Sequence, residues 1–221
     1  MLFKDRLSAG KALIKPLEKY GGEDAIVLGI PRGGVPIGYP IAKALNAPLD
    51  VIIPRKLPIP WSPEVGFGAV TSSGDVILNP DIADGLGLTE SEIKKISDGV
   101  YQEIQRRMRI YRGNRPMPSL REKNVIITDD GLATGFTMIA AIESVKRQGP
   151  KKVIAAVPVA PKDAADLVRK YADELVTLWE KKTYSFAVAS FYDDFHDMAD
   201  SEVVSLLKER GNAGTAYKAA T

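Results

Sequence analysis

The sequence contains no cysteine and a single histidine, His196. The first absence excludes a disulfide framework, a zinc–thiolate site and a thiol nucleophile, and the second makes histidine triads and multi-histidine metal sites poor candidates. No apolar run is long enough to cross a bilayer, so we expect no membrane partner. The net charge is only +2 and no dense basic run accompanies it, which gives no indication of a nucleic-acid partner.

What remains is an ordinary globular composition, with 45% hydrophobic and 26% charged residues in 221. This length suits one α/β domain with a substantial core and some additions. We interpret residues 1–210 as that domain, with a core at about 22–180, and residues 211–221 as a flexible tail. The first residues do not resemble a signal peptide, so the expected location is the cytoplasm.

Buried-strand patterns alternate with helical patterns along most of the chain. This alternation predicts an α/β fold with a mostly parallel central sheet flanked by helices on both faces. The predicted strands are 25–30, 49–53, 125–127, 152–157 and 174–179, and the predicted helices are 2–20 (one or two), 33–46, 89–111, 135–148, 161–171 and 201–210.

Residues 54–80 depart from the alternation because they are rich in proline: Pro54, Pro58, Pro60, Pro63 and Pro80. We predict a proline-rich loop followed by a β-hairpin. The hairpin strands would be Val65–Val70 and Val76–Leu78, with a turn at 72–74.

The most informative stretch is residues 125–137, Val-Ile-Ile-Thr-Asp-Asp-Gly-Leu-Ala-Thr-Gly-Phe-Thr. A buried-strand pattern runs directly into Asp129 and Asp130, and a short Gly/Thr loop then begins a helix. The loop offers backbone N–H groups and hydroxyls to an anion, and the helix N terminus adds a favourable dipole. Paired acids beside such a loop suit a ligand with sugar hydroxyls next to a phosphate. A plainer interpretation is a strand-to-helix turn whose Asp and Thr side chains cap the helix.

This segment resembles the signature of type I phosphoribosyltransferases, which bind 5-phosphoribosyl-1-pyrophosphate (PRPP). The resemblance implies the fold of that family, with a small variable hood built from the N-terminal helix, residues 181–210, or both. It also implies that Asp129 and Asp130 hold the ribose 2′- and 3′-hydroxyls and contact Mg²⁺ through water. The 5′-phosphate would then lie on Gly131, Leu132, Ala133, Thr134, Gly135, Phe136 and Thr137. Ala133 stands where many family members have threonine, so one hydroxyl is missing there.

A second candidate anion site is Gly29-Ile30-Pro31-Arg32-Gly33-Gly34, between a predicted strand and a helix. By the same resemblance, Arg32 and Gly33 contact pyrophosphate. Arg55 and Lys56 follow the next strand and are candidates to neutralise charge on the leaving pyrophosphate. Residues 57–65 are a candidate lid or hinge. The plainer alternatives are a tight turn with Arg32 in solvent and a pair of solvated cations.

Aromatic and acidic residues cluster near the C terminus: Tyr184, Phe186, Phe191, Tyr192, Asp193, Asp194, Phe195, His196 and Asp197. The resemblance makes Phe191 or Tyr192 a candidate to stack on an acceptor base. Packing of these rings in the core is the favoured alternative. His196 is a candidate acid or base, or simply a surface residue.

Taken as a whole, the resemblance implies Mg²⁺-dependent transfer of a phosphoribosyl group from PRPP to a nitrogen acceptor, with a nucleobase as the expected acceptor. Arg32, Lys56, Asp129 and Asp130 are the predicted catalytic residues. The family commonly forms dimers, so we expect a homodimer or a higher homo-oligomer. Two alternatives use the same site, namely PRPP sensing without significant transfer and hydrolysis with water as the acceptor.

Overall fold

The computed structural model describes residues 2–22, 24–71, 74, 76–78, 80–113, 115–183 and 185–211. Ser72 and Ser73 of the predicted turn, Tyr184 of the aromatic cluster and tail residues 212–221 lie outside these ranges. Within the described ranges, every helix is too short or too polar to cross a membrane.

In the described part of the chain, eight strands form two sheets. They are β1 (Ala25–Gly29), β2 (Leu49–Val51), β3 (Arg55–Ile59), β4 (Ser62–Val70), β5 (Val76–Leu78), β6 (Asn124–Thr128), β7 (Lys152–Pro161) and β8 (Glu174–Lys181). The larger sheet has the order β2-β1-β6-β7-β8 and is parallel throughout. All five residues of β1 are buried, as expected when helices cover both faces of a sheet. The predicted α/β fold is confirmed.

The helices are α1 (Arg6–Ala12), α2 (Ile14–Leu17), α3 (Gly34–Ala44), α4 (Pro80–Ala83), α5 (Glu90–Arg112), α6 (Phe136–Lys146), α7 (Lys162–Arg169) and α8 (Asp200–Gly211). One core contains buried residues of α1, α3, α5 and α8. The other contains those of α6 and α7, on the opposite face of the sheet. Two apolar layers therefore enclose the sheet, and each predicted helix is present with slightly different ends.

The strand order reverses between β1 and β6. These strands are neighbours, and Gly29 at the end of β1 pairs with Thr128 at the end of β6. The helix that follows β1 lies on one face of the sheet, whereas the helix that follows β6 lies on the other. The two outgoing loops therefore diverge and leave a crevice at the carboxyl edge, which is where open α/β sheets bind ligands.

The smaller sheet corrects the prediction for residues 54–65. Instead of a loop, β3 and β4 form an antiparallel pair, and β5 adds to β4 as the predicted hairpin requires. Pro58 is tolerated because β3 is an edge strand, where a missing backbone N–H costs little. The register shifts on both sides of Pro58, as expected at a β-bulge.

Two segments far apart in the sequence, 2–4 and 191–194, are joined beside the crevice. The backbone N–H groups of Leu2 and Phe3 donate to the Phe191 carbonyl at 3.0 and 2.9 Å. In return, Asp193 N–H donates to the Phe3 carbonyl at 2.9 Å, and Asp194 N–H to the Lys4 carbonyl at 2.8 Å. We call segments 2–6 and 191–196 together the terminal strap. The assignment of a substrate hood to these parts of the chain stays a prediction.

Candidate functional site

The glycine loop after β1 lies directly against the acid pair after β6. A Cβ added to Gly33 would lie 2.0 Å from Asp130 Oδ2, and one added to Gly34 would lie 2.1 Å from the Thr128 carbonyl oxygen. Thr128 Oγ1 also donates to the Gly34 carbonyl at 2.8 Å. The Pro31–Arg32 peptide in this loop is cis. Only glycine permits such a close approach, so the two predicted anion-binding segments meet in one site.

The two carboxylates differ in their partners. Asp129 Oδ1 accepts the backbone N–H of Asp130 at 2.9 Å, whereas Asp130 Oδ2 accepts Arg6 Nε at 2.8 Å. Within the described part of the chain, no other residue donates a hydrogen bond to the second oxygen of either carboxylate. Each acid therefore keeps one oxygen for a ligand.

The two carboxylates, Asp129 and Asp130, also differ in the charges that surround them. Burial, and then the charge of Asp130, raises the pKa of Asp129 well above its usual range. Burial also raises the pKa of Asp130, but the hydrogen bond and charge of Arg6 oppose that rise. Asp130 thus has a direct cationic partner, and Asp129 has only a more distant one.

The loop after the acids divides into buried and exposed parts. Gly131 packs against Val159 and Val188, and Leu132 is 2% exposed with its N–H bonded to the Val159 carbonyl at 3.0 Å. The Leu132 amide and side chain are therefore engaged in the fold. Ala133, Thr134, Phe136 and Thr137 are exposed, and they surround the start of α6.

The N terminus of α6 is open to an anion. Gly135 is its N-cap with φ 85°, a left-handed conformation that glycine adopts without strain. Among the described residues, no side-chain oxygen caps this helix, so neither Asp nor Thr has the capping role of the plainer interpretation. The first-turn N–H groups point out of the helix without intrahelical acceptors, as a phosphate site requires.

Cations from separate elements lie on the β2–β3 side of the crevice. Arg55, in β3 rather than in a loop, places Nη1 3.8 Å from Glu103 Oε1. Glu103 also pairs with Arg106 and Arg107 at 2.7 and 3.0 Å, and these bonds lower the pKa of Glu103 to about 2. Lys56 follows and is exposed. Because one carboxylate faces three arginines, the cluster carries excess positive charge.

The charge of Arg32 also acts on Tyr111, which lies on the helix that carries Glu103, Arg106 and Arg107. Burial and a 2.6 Å hydrogen bond to Asp200 raise the pKa of Tyr111 to about 12, and the charges of Arg107 and Arg32 oppose that rise. Arg112, in the last turn of the helix that carries Tyr111, is 6% exposed and pairs with Asp50 at 2.7 Å, so its charge is engaged within the fold.

The two aromatic candidates for the acceptor have different surroundings. Phe191 is half-buried, with ring centroids 4.6 Å from Trp179 and 5.4 Å from Phe186. Tyr192 is 1% exposed, and its hydroxyl donates to the Asp130 carbonyl at 2.6 Å. In this conformation Tyr192 offers no open face for stacking, and its clearest role is to hold the backbone of Asp130.

Arg6 is the site residue that the sequence did not reveal. It lies at the start of α1, far along the chain from the acid that it contacts, and no motif surrounds it. The only available signal was a charge within an amphipathic helix, which describes many surface residues equally well.

The geometry therefore defines a doubly wound α/β protein with two candidate anion-binding loops and an acid pair at its switch point. The phosphoribosyl transferase domain family matches residues 69–195. Over 206 residues, covering 93% of this chain, the sequence is 40% identical to the Mycobacterium tuberculosis H37Rv protein Rv0571c, which carries a provisional phosphoribosyl transferase name. The match spans 46% of that relative, so the chain corresponds to about half of its length.

Two further proteins are similar to this chain, one in structure and one in part of its sequence. The crystal structure of TT1426 from Thermus thermophilus superposes with a TM-score of 0.84 at 35% identity, covering 95% of this chain and 99% of that one. A uracil phosphoribosyltransferase of Mycoplasma genitalium is 31% identical over 43% of this chain and 50% of its own length. The chain belongs to the phosphoribosyl transferase domain family.

Proposed function

We propose that the protein transfers a 5-phosphoribosyl group from PRPP to a nitrogen acceptor and releases pyrophosphate. One observation carries the proposal: the Gly33 backbone lies against the Asp130 carboxylate. This contact brings a glycine-rich anion loop, a pair of acids and an open helix N terminus to one edge of the sheet. PRPP has a pyrophosphate, a diol and a 5′-phosphate in the matching order.

Each part of PRPP has a complementary group in this arrangement. Asp129 and Asp130, through their remaining oxygens, accept hydrogen bonds from the ribose hydroxyls. The 5′-phosphate binds the N–H groups at the start of α6 and the exposed hydroxyls of Thr134 and Thr137. Leu132 has no direct contact, because its amide is bonded within the fold. The remaining loop residues contribute backbone atoms and shape.

Pyrophosphate lies between the glycine loop and the basic cluster. Arg32 and Gly33 contact it first, and Arg55 and Lys56 offset the negative charge that grows as it leaves. Burial and then the charge of Arg107 lower the pKa of Arg55. The contribution of Arg107 shows that these closely spaced arginines repel one another. A bound polyanion would relieve that repulsion.

The acid pair also fits a Mg²⁺ ion that arrives with the substrate. Among the described residues, no group of three or more His, Cys, Asp or Glu side chains could hold a metal ion. Mg²⁺ is commonly held by one or two carboxylates together with substrate phosphates, and Asp129 and Asp130 offer the carboxylate oxygens. When bound, the ion neutralises charge on the pyrophosphate.

The chemical step needs no protein nucleophile. The bond between the anomeric carbon and the pyrophosphate oxygen breaks as a bond to the acceptor nitrogen forms. Positive charge grows on the ribose, where Asp129 and Asp130 stabilise it, and the electron pair of the breaking bond leaves with pyrophosphate beside Arg32 and Lys56. The sequence, which has no cysteine, is consistent with direct displacement.

A nucleobase is the proposed acceptor class. The uracil specificity in the name of the Mycoplasma genitalium relative supports this class without fixing the base. Phe191 is the better placed of the two aromatic candidates for stacking, because Tyr192 is enclosed. A cytoplasmic location and a homodimer or higher homo-oligomer stay predictions of the resemblance.

The test is pyrophosphate release from PRPP and Mg²⁺ with a panel of nucleobases. Asp129→Asn, Asp130→Asn and the double variant remove the acids with little change in shape, and exposed Asp84→Asn is the matched control. We expect base-dependent release that falls by roughly 100-fold or more in the acid-pair variants and is unchanged in the control.

Other outcomes separate the alternatives. Release that needs no base would assign hydrolysis. Tight PRPP binding without release for any base would favour a sensor. Wild-type rates in both single acid variants would contradict the proposed site.

A further inference from the structure

Asp130 is held from two directions by the terminal strap. Tyr192 donates to its backbone carbonyl at 2.6 Å, and Arg6 Nε donates to its carboxylate at 2.8 Å. Gly33 closes a third side, because its backbone leaves no room for a Cβ beside the same oxygen. The backbone and one carboxylate oxygen of this acid are therefore fixed before any ligand arrives.

Arg6 is itself firmly placed. Its Nη1 donates to the His196 carbonyl at 2.9 Å, and its guanidinium carbon lies 3.8 Å from the centroid of the Phe195 ring. The residue is only 9% exposed. A guanidinium presents donors in a fixed fork, so Arg6 can reach Asp130 and the strap at once, which a lysine ammonium on a flexible stem does less well.

The link between segments 2–4 and 191–194 does not explain why Arg6 contacts Asp130. Four backbone hydrogen bonds already link segments 2–4 and 191–194 without Arg6. The hydrogen bond from Arg6 Nε does not contribute to that link, because it runs from the strap to the Asp130 carboxylate. A buried ion pair is also weak evidence of stabilisation, because desolvation offsets much of its attraction.

We propose that Arg6 is a positioning residue of the PRPP site, which holds the Asp130 carboxylate in one rotamer so that its other oxygen receives a ribose hydroxyl. This inference rests on the proposed function, because PRPP is the ligand concerned. Arg6 lies outside the residues matched by the family, so the family match does not assign it a role. Pre-organisation of this kind saves the cost of ordering the carboxylate on binding.

A double-mutant cycle tests the inference on the full chain. PRPP dissociation constants, measured by calorimetry with Mg²⁺ present, are compared for wild type, Arg6→Met, Asp130→Asn and the double variant. We expect Arg6→Met to weaken PRPP binding by roughly 10-fold or more, as is typical when a supporting hydrogen bond is removed. In the Asp130→Asn background the same substitution should cost less than about 2-fold, because the acid it positions is gone.

Two variants guard against a purely structural effect. Arg6→Lys keeps the charge and most of the stem, and we expect it to recover part of the lost affinity. Arg169→Met removes an exposed arginine whose ion pairs are with Glu180 and Asp166 rather than with the strap, and it should leave the PRPP affinity unchanged.

An equal loss on removing Arg6 in both backgrounds would overturn the inference, since Arg6 would then act on the fold rather than through Asp130. Wild-type affinity in Arg6→Met would overturn it as well. Failure of wild type itself to bind PRPP would instead contradict the proposed function, and the two failures are thereby distinguished.

Discussion

The site is built by two regions that work differently, the carboxyl edge of the sheet and the terminal strap. The sheet supplies its groups through backbone geometry, with paired strand ends that place Gly33 against Asp130. The strap supplies side chains, Arg6 and Tyr192, that fasten to what the sheet has placed. The sheet therefore determines where the glycine loop and the acid pair lie, while the strap holds Asp130 in place.

The largest expected effect comes from breaking the sheet-built part. Gly33→Ala would place a methyl group 2.0 Å from Asp130 Oδ2, so the loop or the acid must move. We expect PRPP affinity and turnover to fall by roughly 100-fold, because displacements of about 1 Å can cost that much. Steady-state kinetics and calorimetry measure both quantities.

The matched control is Gly85→Ala, since a Cβ added at Gly85 would meet no described atom within 4 Å beyond its own local backbone and chain neighbours. It should behave as wild type. Equal losses in the two variants, or no loss in Gly33→Ala, would contradict the close contact of the glycine loop with the acid.

The next effect separates the two acids by stability. Asp130→Asn leaves the Arg6 cation buried without its partner, and we expect it to lower the free energy of unfolding by about 3 kcal/mol. Asp129→Asn removes one of two adjacent half-buried carboxylates, and we expect it to raise that free energy by about 1 kcal/mol although turnover falls by roughly 100-fold. Urea unfolding at neutral pH gives both values. Changes of the same sign in the two variants would contradict the predicted difference between the acids in their effect on stability.

A smaller effect tests the second attachment of the strap. Tyr192→Phe keeps the ring and removes the hydroxyl that donates to the Asp130 carbonyl, which should cost about 1 kcal/mol of stability. Tyr20→Phe is the control, because it removes a hydrogen bond to Glu174 away from the site. PRPP affinity should weaken in Tyr192→Phe only, and unchanged affinity there would limit the role of the strap to Arg6.

The smallest effect is a pH dependence of the strap. Hydrogen bonds to Asp194 and Glu202 raise the pKa of His196, so its stabilising contribution is complete below its ordinary pKa and is lost as the pH rises through the raised value. The Tm difference between wild type and His196→Gln should therefore be largest below about pH 6 and disappear at alkaline pH. A difference independent of pH would show that the imidazole acts through packing alone.

The contrast between the two regions also explains which parts of the fold and the site could be predicted from the sequence. The parallel sheet and the Asp129–Asp130 strand end are local patterns, in which strand, acids and loop are contiguous, so the sequence predicted them. Arg6 and the Tyr192 hydroxyl reach Asp130 from the two ends of the chain, and such contacts leave no periodicity or spacing to detect. The Arg55–Ile59 strand was missed for another reason, since Pro58 and the prolines that flank the strand suggested a loop, and its edge position tolerates Pro58.

The most direct test of the proposed site is a crystal structure of the wild-type protein with PRPP and Mg²⁺. We expect ribose hydroxyls on Asp129 and Asp130, the 5′-phosphate at the N terminus of α6, and pyrophosphate beside Arg32 and Gly33, with the Arg6 to Asp130 bond intact. PRPP bound elsewhere, or in this crevice with its diol turned away from both acids, would contradict it.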